Sequence, residues 1–162
     1  MIDKEADLVF DWAPSPAPRS RVELDDESLR DGLQSPSVRQ PPVQERVRLL
    51  RQMADLGIDA ADIGMPVSGE AGYQATLALA RAAADERLPI ALNCAGRTVV
   101  ADLKPIADIS AKAGVPIEAM AFIGSSPIRM IAEGWTLMGM VRAIRESVRF
   151  AVREGLKVCL VT

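Results

Sequence analysis

The chain has 162 residues, 49% hydrophobic and 25% charged, with 22 acidic against 19 basic side chains and no histidine. That is the size of one ordinary domain, and a net charge of -3 with a pI near 5.1 gives no field for gathering nucleic acid or an anionic membrane. Without histidine the usual neutral-pH proton shuttle is missing, so Ser-His-Asp and Cys-His sites are excluded and acid–base or metal chemistry falls to carboxylates, Lys, Tyr, Cys or water.

In chain order, residues 1–21 open with Asp3, Glu5, Asp7 and Asp11 where a signal peptide would be basic and then apolar. They continue into Asp-Trp-Ala-Pro-Ser-Pro-Ala-Pro, a Pro-rich lead-in expected to lie extended. No run reaches the roughly 18–20 apolar residues that cross a bilayer, so a cytoplasmic location is expected. Strand-like and helix-period runs then alternate to the last residue. Strands are expected at 22–29 and 58–65 and from about 88, 116 and 156, with helices from 43 and at 72–86, 100–112 and 136–154.

Val43, Val47, Leu50 and Ala54 recur at helical spacing between Pro41-Pro42 and Gly57, the start and stop signals of an amphipathic helix. Val141, Ile144, Val148 and Ala151 share a face of the last helix. Gly57-Ile58, Gly114-Val115 and Gly155-Leu156 each read as a left-handed glycine cap opening directly into a strand. The remainder, 22–162, is thus α/β with about five parallel strands and four helices, and aromatics at 4% with abundant Ala, Leu, Ile and Val suit that class. Serial β-α units build either an open sheet or a (β/α)8 barrel, and a whole barrel takes about 250 residues, so a barrel here is partial. Cys94 and Cys159 read as small buried apolar residues, and Met130, Met138 and Met140 as core filler. Tyr73 carries no assignment.

The most unusual stretch is the exit of the first strand, where Glu23, Asp25, Asp26, Glu27, Arg30 and Asp31 crowd together. Ligands in parallel α/β folds bind beyond the carboxyl ends of strands. There Arg30 offers a forked donor for a carboxylate or enolate, and Asp31 a hard oxygen for a divalent cation or a proton. A surface Arg-Asp pair in a turn, with Gly32 present for its backbone freedom, fits the same spacing. Ser125-Ser126-Pro127-Ile128-Arg129 fits either an anion cradle or an ordinary turn.

Four segments, Ser28-Leu29-Arg30-Asp31-Gly32-Leu33-Gln34-Ser35, Leu56 through Pro66, Asn93-Cys94-Ala95-Gly96-Arg97 and Ala121-Phe122-Ile123-Gly124-Ser125-Ser126, each stand at a strand exit. Together they resemble the pyruvate carboxyltransferase-type domain of the DRE-TIM metallolyases. That superfamily includes 2-isopropylmalate synthase, homocitrate synthase, citramalate synthase and hydroxymethylglutaryl-CoA lyase. The resemblance implies the N-terminal part of a TIM (β/α)8 barrel and an amino-acid biosynthetic acyltransferase, as in leucine biosynthesis. Acetyl-CoA would condense with a 2-oxo acid on a divalent metal (Mg, Mn or Zn). By position, it assigns Arg30 to the enolate or carbonyl oxygen, Asp31 to the metal, Gln34 to the acceptor pocket and Arg97 to a substrate carboxylate, with Asp62 and Ser126 also facing substrate.

The chain departs from the family at several points. Asp62 stands where Glu is usual, which puts that acid's contact with Arg30 in question. Leu33 replaces the Glu of the Arg-Asp-Gly-Glu-Gln form, as in the lyase branch, and Met120 stands where the synthases often carry His. The family's His-x-His metal pair, from a seventh strand, has no counterpart here, so the isolated chain is expected to be incomplete and inactive. Pairing with a complementing C-terminal half, or self-association through open sheet edges, is expected. A retro-aldol acyl-CoA lyase and a non-catalytic assembly subunit are the alternative functions. Arg30→Ala in a complete barrel is expected to lower turnover with little effect on folding.

Overall fold

A computed structural model describes residues 21–162; apart from Arg21, the Pro-rich lead-in lies outside the described residues. Five strands, β1 (Asp25–Asp26), β2 (Ala60–Asp62), β3 (Ala91–Arg97), β4 (Ile117–Phe122) and β5 (Lys157–Val161), form one parallel sheet in the order 1-2-3-4-5. Between them run α1 (Val43–Leu56), α2 (Glu70–Glu86), α3 (Val100–Ala113), α4 (Pro127–Glu133) and α5 (Leu137–Arg153). Each strand lies beside its predecessor, the order of a (β/α) barrel rather than the mid-sheet reversal of a doubly wound fold. The architecture is consistent with part of such a barrel.

Only one face of the sheet carries the core. In the shared register Leu92 pairs with Ile117, Cys94 with Ala119 and Gly96 with Ala121. Leu92, Cys94, Ile117, Ala119 and Ala121 pack with Leu50 and Met53 of α1, Leu79 and Ala80 of α2, Leu103, Ile106 and Ile109 of α3 and Ala151 of α5. Fully burying a Leu or Ile side chain contributes about 1.5–3 kcal/mol, so this layer accounts for much of the stability. The alternate set, Asn93, Ala95, Glu118, Met120 and Phe122, lies outside this cluster and turns to the opposite face.

Gly57, Gly114 and Gly155 take φ of +81°, +66° and +78°, the left-handed caps expected at those joints. The α2 exit manages the same turn at Arg87, with φ of +52°. Tyr73 has a structural partner after all: its hydroxyl meets Asp108, and Lys112 lies 3.0 Å from the hydroxyl and 2.8 Å from Asp108, tying α2 to α3.

Several expectations are corrected. The first strand pairs over only Asp25–Asp26, because the chain turns at once after it, Arg30 and Gly32 both donating backbone N–H groups to Glu27 O at 3.1 Å. A fifth helix, α4, occupies what reads as a turn, Pro127 sitting at its first position. On α5 the buried residues are Met140, Ser147 and Ala151, so the stripe starts one residue earlier than expected and leaves Val141 exposed. Met138 is 73% exposed and is not core filler, whereas Met140 is. Cys94 is buried, Cys159 half-buried, and both are free thiols.

Candidate functional site

Leu29 is buried among the core residues and pins the turn that follows β1, so that Arg30 comes to lie over the end of β2. There its Nε donates to Asp62 Oδ2 at 2.8 Å and its Nη1 to Asp31 Oδ1 at 3.0 Å, while Nη2 meets Glu27. The contact between Arg30 and the second-strand acid is therefore made by Asp62 despite its shorter side chain. The other oxygen of Asp62 accepts the backbone N–H of Gly64 at 3.1 Å. Gly64 has φ of +148° and a Cβ there would strike Thr76 Oγ1, so only glycine permits this close return of the chain over α2.

The electrostatics follow from burial. Asp62 is 1% exposed and the Arg30 side chain 19% exposed. Burial pushes the Asp62 carboxyl up to about 6, against the hydrogen bonds from Arg30 and Gly64 and the charge of Arg30; the Glu27 charge adds to the rise. Arg30 is desolvated as well, yet its hydrogen bond to Asp62 and the charges of Asp62, Glu27 and Asp31 hold its pKa above the ordinary value. Burial, with the Asp62 charge behind it, drives the Cys94 thiol well above its usual range, which makes it a packing residue and not a nucleophile.

A guanidinium carries five N–H donors. Three of Arg30's are engaged by the acids around it, so the group is fixed in place with donors to spare for a developing oxyanion. Below it, Asn93 is buried and its Nδ2 donates to both oxygens of Asp25, at 3.0 and 3.1 Å, leaving Oδ1 without a partner among the described residues.

Asp31 is 67% exposed and its carboxylate is engaged by Arg30. Gln34 ends the short turn Gly32–Gln34 on the surface. Among the described residues no three His, Cys, Asp or Glu side chains converge on a point that would hold a metal ion. One exposed carboxylate is too few donors to displace the hydration of Mg, Mn or Zn, so the donor set described here does not fit the divalent metal that the sequence resemblance implies.

Arg97 and Ser126 do not join the Arg30 cluster. Arg97 Nε and Nη2 form a fork on Asp102 at 2.7 and 2.9 Å, and its backbone N–H reaches the same carboxylate at 3.0 Å. Ser126 Oγ accepts the backbone N–H of Arg129 at 3.2 Å as the cap of α4. Both instead line a wedge between the ends of β3 and β4 and the start of α5. Sequence reading missed Asp102, whose signal was a lone acid among apolar residues in the first turn after Arg97. It also missed the tie between Asn93 and Asp25, which no local pattern announces.

A guanidinium ringed by acids at the carboxyl end of parallel strands stands where (β/α)-barrel enzymes carry their chemistry. Over part of its length the chain is similar to 2-isopropylmalate synthases. It is 34% identical over 110 residues to that enzyme from Nitratidesulfovibrio vulgaris (strain DSM 19637 / Miyazaki F), covering 68% of this chain and 20% of the relative. It is 29% identical over 138 residues to the one from Sulfurisphaera tokodaii, covering 84% and 33%, and 41% identical over 63 residues to the one from Solidesulfovibrio magneticus, covering 39% and 12%. No protein-family model matches the chain. These similarities support the 2-isopropylmalate synthase family, and the chain spans about a fifth to a third of the length of the first of these relatives. No helix among the described residues is long and apolar enough to cross a membrane.

Proposed function

We propose that this chain supplies the Arg30 portion of an acyl-transfer centre of the 2-isopropylmalate synthase type, a member of the DRE-TIM superfamily that joins acetyl-CoA to a 2-oxo acid in amino-acid biosynthesis. The observation that carries the reading is Arg30 itself, held on Asp62 at the exit of β2 with N–H donors unused. In this reading the guanidinium receives the oxygen on which negative charge grows as the carbon–carbon bond forms. An interaction that strengthens only as charge develops lowers the barrier rather than merely binding substrate. Asp62 acts through Arg30, as a positioning residue. Asp31 and Gln34, on the exposed rim of the same turn, face the acceptor.

The test is a chimera in which the aligned 110-residue segment of the N. vulgaris enzyme is replaced by this chain's own, assayed by CoA thiol release from acetyl-CoA across a panel of 2-oxo acids. A folded chimera is expected to condense one of them, and Arg30→Ala to lower kcat by about 100-fold or more with little change in KM. A folded chimera without activity, or one indifferent to Arg30→Ala, overturns the proposal. Cleavage of hydroxymethylglutaryl-CoA in place of condensation would move it to the lyase branch.

A further inference from the structure

The outward face of α5 carries a basic stripe that the acyl-transfer proposal does not use. Met140, Ser147 and Ala151 form the buried side of this helix. Arg142, Arg145, Arg149 and Arg153 recur at intervals of three and four on the other side, and all four are exposed. Among the described residues no carboxylate lies within ion-pair distance of any of them, and Arg153 Nε donates to the backbone, to Arg149 O at 3.2 Å. Like charges one turn apart destabilise a helix, so this face is stabilised by an acidic occupant.

Beside the stripe, Val148 and Val152 of α5 and Val100 at the start of α3 line a groove of about 660 Å³ with Arg149, Arg153 and Glu146. Val152 is 61% exposed and Val100 38%. An apolar floor with a basic rim suits an occupant that is acidic and apolar at once.

The chain itself holds such a segment. Residues 3–12, Asp-Lys-Glu-Ala-Asp-Leu-Val-Phe-Asp-Trp, set four acids against one lysine and carry Leu8, Val9, Phe10 and Trp12. Asp3, Asp7 and Asp11 recur at the same interval of four as Arg145, Arg149 and Arg153. The strands of a parallel sheet all start at one edge, and α5 leads through Gly155 into β5, so Arg149 and Arg153 stand toward the edge at which Arg21 precedes β1 and meets Asp59. From Trp12 to Arg21 an extended Pro-rich linker spans roughly 28 Å at ~3.1 Å per residue. Neighbours in the order 1-2-3-4-5 lie ~4.8 Å apart, which puts β5 only about 19 Å from β1.

We infer that residues 3–12 dock along the outward face of this chain's own α5. Arg145, Arg149 and Arg153 receive Asp3, Asp7 and Asp11, and Trp12 is seated against Val148 and Val152. A tethered segment meets its groove at an effective concentration on the order of mM, so contacts too weak to hold a free peptide suffice here. The acyl-transfer proposal plays no part in this inference, and the two fail separately.

The test follows Trp12 in the full chain carrying Trp135→Phe, which leaves it the one tryptophan, by fluorescence quenching with neutral acrylamide. The quenching constant is expected to lie at least about twofold below that of a synthetic peptide of residues 1–20. It should rise to the peptide's value in Arg145→Glu/Arg149→Glu/Arg153→Glu, and also in about 0.5 M salt. Asp3→Lys/Asp7→Lys/Asp11→Lys should abolish the protection in the parent and restore it in the triple-glutamate protein. A Trp12 quenched as freely as the peptide, or protection indifferent to both charge reversals, would overturn the inference. Protection that fades on dilution overturns it as well, since it places the segment on a second copy. If the triple-glutamate protein fails to fold, the triple-lysine variant decides alone, and unchanged protection in it counts against docking.

Discussion

The two corners of the sheet that carry charge are built differently. At the β1–β2 corner Leu29, Asp62 and Gly64 are buried, and Arg30 bridges the loop to the strand through the desolvated Asp62. At the β4–α5 corner α4 has no buried residue at all, and Ile128 and Ile131 are each 82% exposed. One corner couples its charge to the folding of the domain. The other holds its charge on a surface wedge, where ligands and neighbours have access but the core does not depend on it. A substitution at the first corner is therefore expected to act on stability, while one at the second leaves the core intact.

This contrast can be broken most directly at Arg30. Removing it leaves a buried carboxylate unpaired, so Arg30→Ala is expected to cost about 3–4 kcal/mol in urea unfolding at pH 8 and clearly less at pH 5, where Asp62 already holds its proton. This revises the expectation of little effect on folding, and equal unfolding at both pH values would refute the coupling. Leu29→Ala, which empties a core position beneath the same turn, should cost about 3 kcal/mol, read as a shift in urea midpoint at unchanged slope.

Asp62→Asn sharpens the comparison through pH. The folded carboxyl keeps its proton up to about pH 6, while in the unfolded chain it releases it near 4. Between those values the folded state binds more protons, so stability falls as pH rises from about 4 to 6 and this contribution is level above that. Asp62→Asn should remove this fall of about 3 kcal/mol; identical pH profiles for the two proteins would exclude Asp62 as its source. The smallest effect belongs to the other corner, where Ile131→Ser should alter stability by no more than about 0.5 kcal/mol in thermal unfolding. A larger loss would mean that α4 is packed against something.

Much of the architecture was legible because it rests on local rules. The α1 stripe, the glycine caps at 57, 114 and 155 and the alternation of strand and helix all appear where periodicity and turn chemistry put them. The short β1 did not, because only Asp25 and Asp26 pair on the ladder before the chain turns back on Glu27 O. Nor did α4, since a Ser-Ser-Pro turn and a capped helix start share the same residues.

By itself the sequence determined the α/β class, the strand order's raw material and the presence of Arg30 and Asp31 at a strand exit. Those depend on spacing within a few residues, which the chain displays directly. Only the tertiary structure decided that Arg30 rests on Asp62, that Asp31 and Gln34 stand in solvent, and that Arg97 turns to Asp102 and shares a wedge with Arg129. Each of these is a contact or a burial, and which long side chain reaches which partner is set by the register of the strands and the depth of the core.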